Sequence, residues 1–140
     1  DKLVTCFPKA KKAWTKEVPL PGGAFEDQAS LVSKLISEFP WLEQSIAQRY
    51  ARQYGLLCYK FLKGVTSVKE MDEDFGCGMY RAEVDYLIDC EWAYTIEDVL
   101  WRRTKHGLRL NKTQQEVLAQ YISSKVAGTT DTVGVTAASA

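Results

Sequence analysis

The chain has 140 residues, 46% apolar and 11% aromatic, enough for one hydrophobic core and too few for two ordinary domains. Eighteen Lys and Arg balance eighteen Asp and Glu, so no overall field gathers nucleic acid or an anionic bilayer. Cysteines at positions 6, 58, 77 and 90 and a single histidine, His106, fit neither a zinc site nor a dense disulfide framework, so reduced thiols in a cytoplasmic compartment are expected.

Residues 1–23 read as an extended arm. Pro8, Pro19 and Pro21 forbid a continuous helix, Pro21-Gly-Gly is a turn signal, and Val4, Phe7 and Trp14 lack a face of their own. Helices follow. Leu31, Val32, Leu35, Ile36 and Phe39 recur at helical spacing behind a candidate N-cap, Asp27, which predicts a helix over 27–38. Pro40 suits the first turn of a second helix, in which Leu42, Ile46, Tyr50 and Tyr54 step by four until Gly55. The apolar run 56–62 reads as helix from its neighbours. Ser67 and Glu70 have capping-box spacing.

Asp72, Glu73 and Asp74 are expected to face solvent, since the ligand spacing of a calcium loop is absent. Over 80–92, Tyr80, Val84, Leu87, Ile88 and Trp92 share one side, with Arg81, Glu83, Asp85 and Asp89 mostly on others. A short helix over 95–104 follows almost without a loop: Thr95 as N-cap, Glu97 and Asp98 at the positive end, Ile96, Val99 and Leu100 as the apolar stripe, and Gly107 as the stop. Thr113 and Glu116 form a second capping-box pattern, and Val117, Leu118, Tyr121, Ile122 and Val126 point to the core. The Thr, Gly, Ala and Ser content of 128–140 predicts a flexible tail. The expectation is an all-α bundle of about five or six short helices over 24–127, with the arm before it and the tail after it.

No phosphate loop, G-x-G-x-x-G, G-x-S-x-G or H-E-x-x-H occurs, so no catalytic, cofactor-binding or metal-binding residue is assigned. His106, in a basic turn, reads as a solvated helix-end cation. A helix-turn-helix is disfavoured because its second helix would present Gln114, Gln115, Glu116 and Gln120 with one terminal Lys. Arg102 or Arg103 is expected to reach Glu83, Asp89 or Glu91 on the preceding helix. No apolar run approaches the roughly 18 residues of a membrane span, and no cleavable signal opens the chain.

The series Trp14-Thr-Lys-Glu, Leu20-Pro-Gly-Gly, Arg49-Tyr-Ala-Arg-Gln-Tyr-Gly, Tyr80-Arg-Ala-Glu-Val-Asp-Tyr-Leu, Glu91-Trp and Leu100-Trp-Arg-Arg-Thr-Lys resembles the C-terminal helical domain of FAD-dependent glycerol-3-phosphate dehydrogenase, in order over 14–126. The resemblance implies a parent flavoprotein, cytoplasmic and peripheral at the membrane, that oxidises glycerol 3-phosphate and passes electrons through FAD to quinone. It also implies that FAD and substrate are held outside this chain, whose partner is then its own FAD-binding domain, and it leaves room for a homo-oligomer. Docking and packing fall to Glu83, Glu91, Trp92, Asp98, Trp101, Arg102, Arg103 and Lys105. The alternative is an interaction module that binds another protein or anionic lipid through the basic turn 102–109.

Overall fold

The computed structural model describes residues 16–133, with side chains described through residue 128. The apolar residues Val4, Phe7 and Trp14 lie outside the described residues.

Asp27 caps α1 (Gln28–Glu38), accepting from the Ser30 amide at 2.9 Å, and Leu31, Val32 and Leu35 turn inward as their spacing predicts. Pro40 does not open the second helix. A turn closed by the Leu42 amide on the Phe39 carbonyl, 2.9 Å, buries both side chains first, so α2 (Gln44–Tyr54) starts later. It packs on α1 and buries Ile46, Tyr50 and Tyr54.

The predicted Pro-Gly-Gly turn is present, with the Gly23 amide on the Leu20 carbonyl at 2.8 Å. It is pinned to the end of α2 by the Leu56 amide, which donates to the Gly22 carbonyl at 2.9 Å. Gly55 has φ +53°, and a Cβ there would lie 2.2 Å from the Gly22 oxygen. Gly55→Ala is therefore expected to cost about 1–3 kcal/mol, read as a lowered urea midpoint at unchanged m-value.

The run 56–62 is helical in two pieces, a 3-10 turn (Gly55–Cys58) and α3 (Tyr59–Leu62). A further 3-10 turn covers Val68–Met71, but Ser67 makes no side-chain cap. Glu70 instead accepts from the Thr66 amide at 2.8 Å and hydroxyl at 2.7 Å, one residue earlier than the capping-box spacing expects. Asp72, Glu73 and Asp74 are exposed as predicted, and Asp72 pairs with Arg81 at 2.8 Å. An isolated antiparallel bridge between Asp74 and Tyr80 leads into α4 (Arg81–Glu91).

Trp92, with φ +56°, ends α4 in the left-handed region. The next helical segment is not an α-helix over 95–104. After one turn it widens into a π-helix, Asp98–Arg103, in which the Thr104 amide reaches back five residues to the Val99 carbonyl at 3.1 Å. The Thr104 hydroxyl donates to the same carbonyl at 2.7 Å. Lys105, at φ +69°, rather than Gly107, is the left-handed residue after it. A single 3-10 turn, His106–Leu108, precedes α5 (Lys112–Val133).

The capping box of α5 lies two residues before the expected one: Asn111 Oδ1 accepts from the Gln114 amide at 2.9 Å, and Gln114 Oε1 from the Asn111 amide at 3.0 Å. Asn111 precedes the first helical residue, where a cap belongs, and Thr113 is already inside the helix. α5 runs past residue 127, so the stretch expected as tail is helical through Val133. Five α-helices joined by shorter 3-10 and π turns make the described residues an all-α bundle. Leu35, Leu62, Leu87, Leu100 and Leu118 are fully buried in its core, each contributing about 1.5–3 kcal/mol by burial.

Candidate functional site

The polar centre of the bundle is an ion pair between α2 and α4. Arg49 and Glu83 are 6% and 0% exposed. Arg49 Nη2 donates to Glu83 Oε2 at 2.8 Å while Nη1 donates to Oε1, the two-pronged geometry that suits a guanidinium to a carboxylate. Arg49 also donates to the Gly78 carbonyl at 2.7 Å and the Gln53 amide oxygen at 3.1 Å. The Tyr54 hydroxyl donates to Glu83 at 2.6 Å. Burial opposes the charge on Arg49, but Glu83 more than offsets it and holds the guanidinium protonated. Burial and the Glu83 charge push the Tyr54 phenol well above its ordinary range.

From this pair the network passes to the π segment, because Gln53 donates to the Thr104 carbonyl at 2.9 Å. α-Helical spacing would place Arg103, four residues after Val99 and three after Leu100, on their buried face. The wider turn keeps Val99 and Leu100 inside and leaves Trp101, Arg102 and Arg103 exposed. Thr95 is the cap that its sequence predicts. Its hydroxyl accepts from the Asp98 amide at 3.1 Å, and Asp98 Oδ2 accepts from the Thr95 amide at 3.1 Å. Hydrogen bonds from Arg102 and then Thr95 hold the Asp98 carboxyl below its usual range.

The expected partners of the two arginines are corrected. Arg102 pairs with Asp98 on its own segment, and Glu83 is already taken by Arg49. Glu91 accepts from the Tyr86 hydroxyl at 2.8 Å. Lys105 donates to the Trp101 carbonyl, while the Trp101 ring covers Gly107, leaving a Cβ there only 2.4 Å from it. The α4 assignments also change: Glu83, expected outside, is buried, and Trp92, expected inside, is 71% exposed. The carboxylate turns in because Arg49 and Tyr54 wait for it. The tryptophan lies past the last helical turn, where the left-handed backbone swings it out of the stripe.

Of the eight predicted residues, Glu91, Trp92 and Arg103 come together. With Pro21, Leu57, Lys60, Tyr86 and Cys90 they line a shallow depression of ≈ 340 Å³. Glu83 lies in the core, and Asp98, Trp101, Arg102 and Lys105 bond within the π segment and the turn after it. Arg109 lines a different cleft, beside α1 and α2. The basic turn 102–109 therefore does not form one surface, and an interaction module acting through that turn is not supported.

Sequence reasoning missed Arg49, Gln53 and Thr104 as members of the network, and His106 as a core residue. His106 is 2% exposed, and burial followed by the Arg49 charge lowers its pKa to about 4. It is a neutral core group, not a solvated cation. A glutamate between Ala82 and Val84 on a core helix was the signal available for a buried partner.

Among the described residues Cys58, Cys77 and Cys90 form no disulfide, and burial pushes the Cys58 thiol up to about 12. No group of three or more metal-ligating side chains gathers among the described residues. No helix among them is long and apolar enough to cross a membrane.

Residues 13–126 match the family model described as the C-terminal domain of alpha-glycerophosphate oxidase. The chain is 42% identical over 120 residues to a glycerol-3-phosphate dehydrogenase of Pseudomonas aeruginosa, covering 85% of this chain and 23% of the relative. It is 42% identical over 123 residues to the aerobic glycerol-3-phosphate dehydrogenase of Escherichia coli, covering 87% and 25%. A D-erythritol 1-phosphate dehydrogenase of Brucella abortus is 33% identical over 125 residues, covering 88% and 25%. The chain spans about a quarter of the length of the curated relatives it matches. With the family match running through every described helix from α1 to α4 and into α5, the chain belongs to the family of alpha-glycerophosphate oxidase C-terminal domains.

Proposed function

We propose that this chain is the non-catalytic helical domain of a longer, flavin-dependent polyol-phosphate dehydrogenase that oxidises glycerol 3-phosphate to dihydroxyacetone phosphate. Its Trp92 face packs against the part of that enzyme that holds FAD. The described residues do not fit FAD themselves: among them no strand leads through a glycine-rich turn into a helix, the element that receives a dinucleotide pyrophosphate. Flavin chemistry, and any membrane attachment, are then supplied by the rest of the longer enzyme.

The observation that carries the docking role is Trp92. At a left-handed helix end glycine is the residue without steric penalty, and a bulky side chain there costs about 1–2 kcal/mol. Trp92 bears that strain while 71% exposed, so neither the helix end nor the core of the domain accounts for it. A large aromatic group beside Arg103 on an open depression has the composition of an interface anchor.

Trp92→Gly separates the two environments by sign. In the 140-residue chain it is expected to leave folding stability unchanged or raise it by about 1 kcal/mol. In the longer enzyme it is expected to lower FAD retention on gel filtration and the melting temperature. Full FAD retention and an unchanged melting temperature in the longer enzyme would remove the docking role.

A further inference from the structure

On another face of the bundle, the first half of α1, one side of α2 from Gln44 to Arg52 and Arg109 after the His106–Leu108 turn line an open cleft of ≈ 740 Å³. That volume falls in the range of roughly 300–1,000 Å³ common for small-molecule sites, but such sites are mostly apolar. This one is not. Gln28, Gln44, Gln48, Ser33 and Ser45 line it, and its charged residues are Arg49, Arg52 and Arg109, with no carboxylate among them. Arg49 is neutralised from below by Glu83, so the net charge of the walls comes from Arg52 and Arg109.

Some of the surface cations of the bundle are already engaged. Lys34 pairs with Glu38, Arg81 with Asp72, Arg102 with Asp98 and Lys125 with Asp85. Lys105 donates to the Trp101 carbonyl. Among the described residues Arg52 and Arg109 form no ion pair, although both are exposed beside the same cleft. Guanidinium groups match the oxygens of a phosphate by paired hydrogen bonds, and glutamine amides and serine hydroxyls offer both donors and acceptors to a hydroxylated body.

From this arrangement we infer that the cleft between α1 and α2 binds a small, polar phosphate monoester, with Arg52 and Arg109 on the phosphate and the glutamines on the rest. The site does not depend on the docking face, because no residue lines both depressions.

Isothermal titration of the 140-residue chain with inorganic phosphate and with ribose 5-phosphate tests the assignment. Saturable binding is expected, tighter for the ester, weakened about tenfold in Arg52→Gln and in Arg109→Gln, and lost in the double variant. Lys63→Gln, an exposed cation outside the cleft, should bind as the parent does. Circular dichroism melting of each variant guards against unfolding, which exposed arginines are not expected to cause. Absence of saturable binding, or binding that survives loss of both arginines, overturns the inference. So does sedimentation with phosphatidic acid vesicles in the absence of binding to either free phosphate, since the ligand would then be a lipid headgroup.

Discussion

Glu83→Ala is expected to lose about 3–5 kcal/mol of folding stability, the cost of leaving one member of a buried ion pair without the other. The stranded charge would be Arg49, which is 6% exposed and whose remaining partners, the Gly78 carbonyl and the Gln53 amide oxygen, are neutral. The Tyr54 hydroxyl would lose its acceptor at the same time. Arg49→Leu should be comparably damaging, since Glu83, at 0% exposure, has no water to fall back on. Replacing both, as Arg49→Leu with Glu83→Leu, should recover much of either single loss, because a buried pair gains little over apolar groups of similar volume. Urea titrations of the parent, Arg49→Leu, Glu83→Leu and the double variant give the coupling directly. A Glu83→Ala midpoint within about 1 kcal/mol of the parent would show that water reaches the pair and that it is not the centre of the bundle.

The same cycle has a second readout at the surface. Gln53, held by Arg49, donates to the Thr104 carbonyl, and Thr104 closes the π turn through both its amide and its hydroxyl on Val99. The turn is what sets Arg103 outside the stripe of Val99 and Leu100. One chain of hydrogen bonds therefore runs from the buried pair to the turn that carries the exposed Arg103.

What the sequence made legible was local. Asp27 and Thr95 cap where they were expected to because a cap is satisfied within three residues, and the stripes of α1 and α2 follow from helical period alone. The family was legible too, since it rests on ordered motifs and not on contacts. What failed was decided by partners far away in the chain. Glu83 was placed on a solvent side because its neighbours on α4 say nothing of Arg49, 34 residues earlier. Trp92 was counted as core because a periodic stripe does not register that the backbone turns left-handed at its end.

The capping boxes at 67–70 and 113–116 had the right spacing and the wrong start. Competing side chains one or two residues away, Thr66 and Asn111, took the bonds. His106 failed for a further reason: a basic, Gly-flanked turn looks solvated until Arg49 and Leu110 are seen packed into the core near it.

That burial makes His106 an acid-sensitive group of the core. Neither ring nitrogen has a hydrogen-bond partner in bonding geometry. The charged groups that bear on it are Arg49 and Arg109, which oppose its protonation, and Glu83, which favours it, as does the Cys77 backbone. Burial is the largest influence, and the folded pKa is about 4 against an ordinary 6.5. The unfolded chain therefore takes up the proton first. The contribution of His106 to stability is complete above pH 6.5, falls as the pH drops through the window from 6.5 to about 4, and levels off below it. At 1.36 kcal/mol per unit the full loss is on the order of 3 kcal/mol.

His106→Leu removes the titration together with two unsatisfied polar atoms. At pH 7.5 it is expected to match the parent or exceed it by about 1 kcal/mol, and between pH 6.5 and 4.5 the parent should lose stability relative to the variant. Urea midpoints of both proteins at pH 7.5, 6.0, 5.0 and 4.5 measure that difference while cancelling the carboxylates they share. Parallel curves would assign the acid loss to those carboxylates instead. Asp27, Glu70 and Asp98, each held below its ordinary pKa by a local hydrogen bond, would be the groups to replace next.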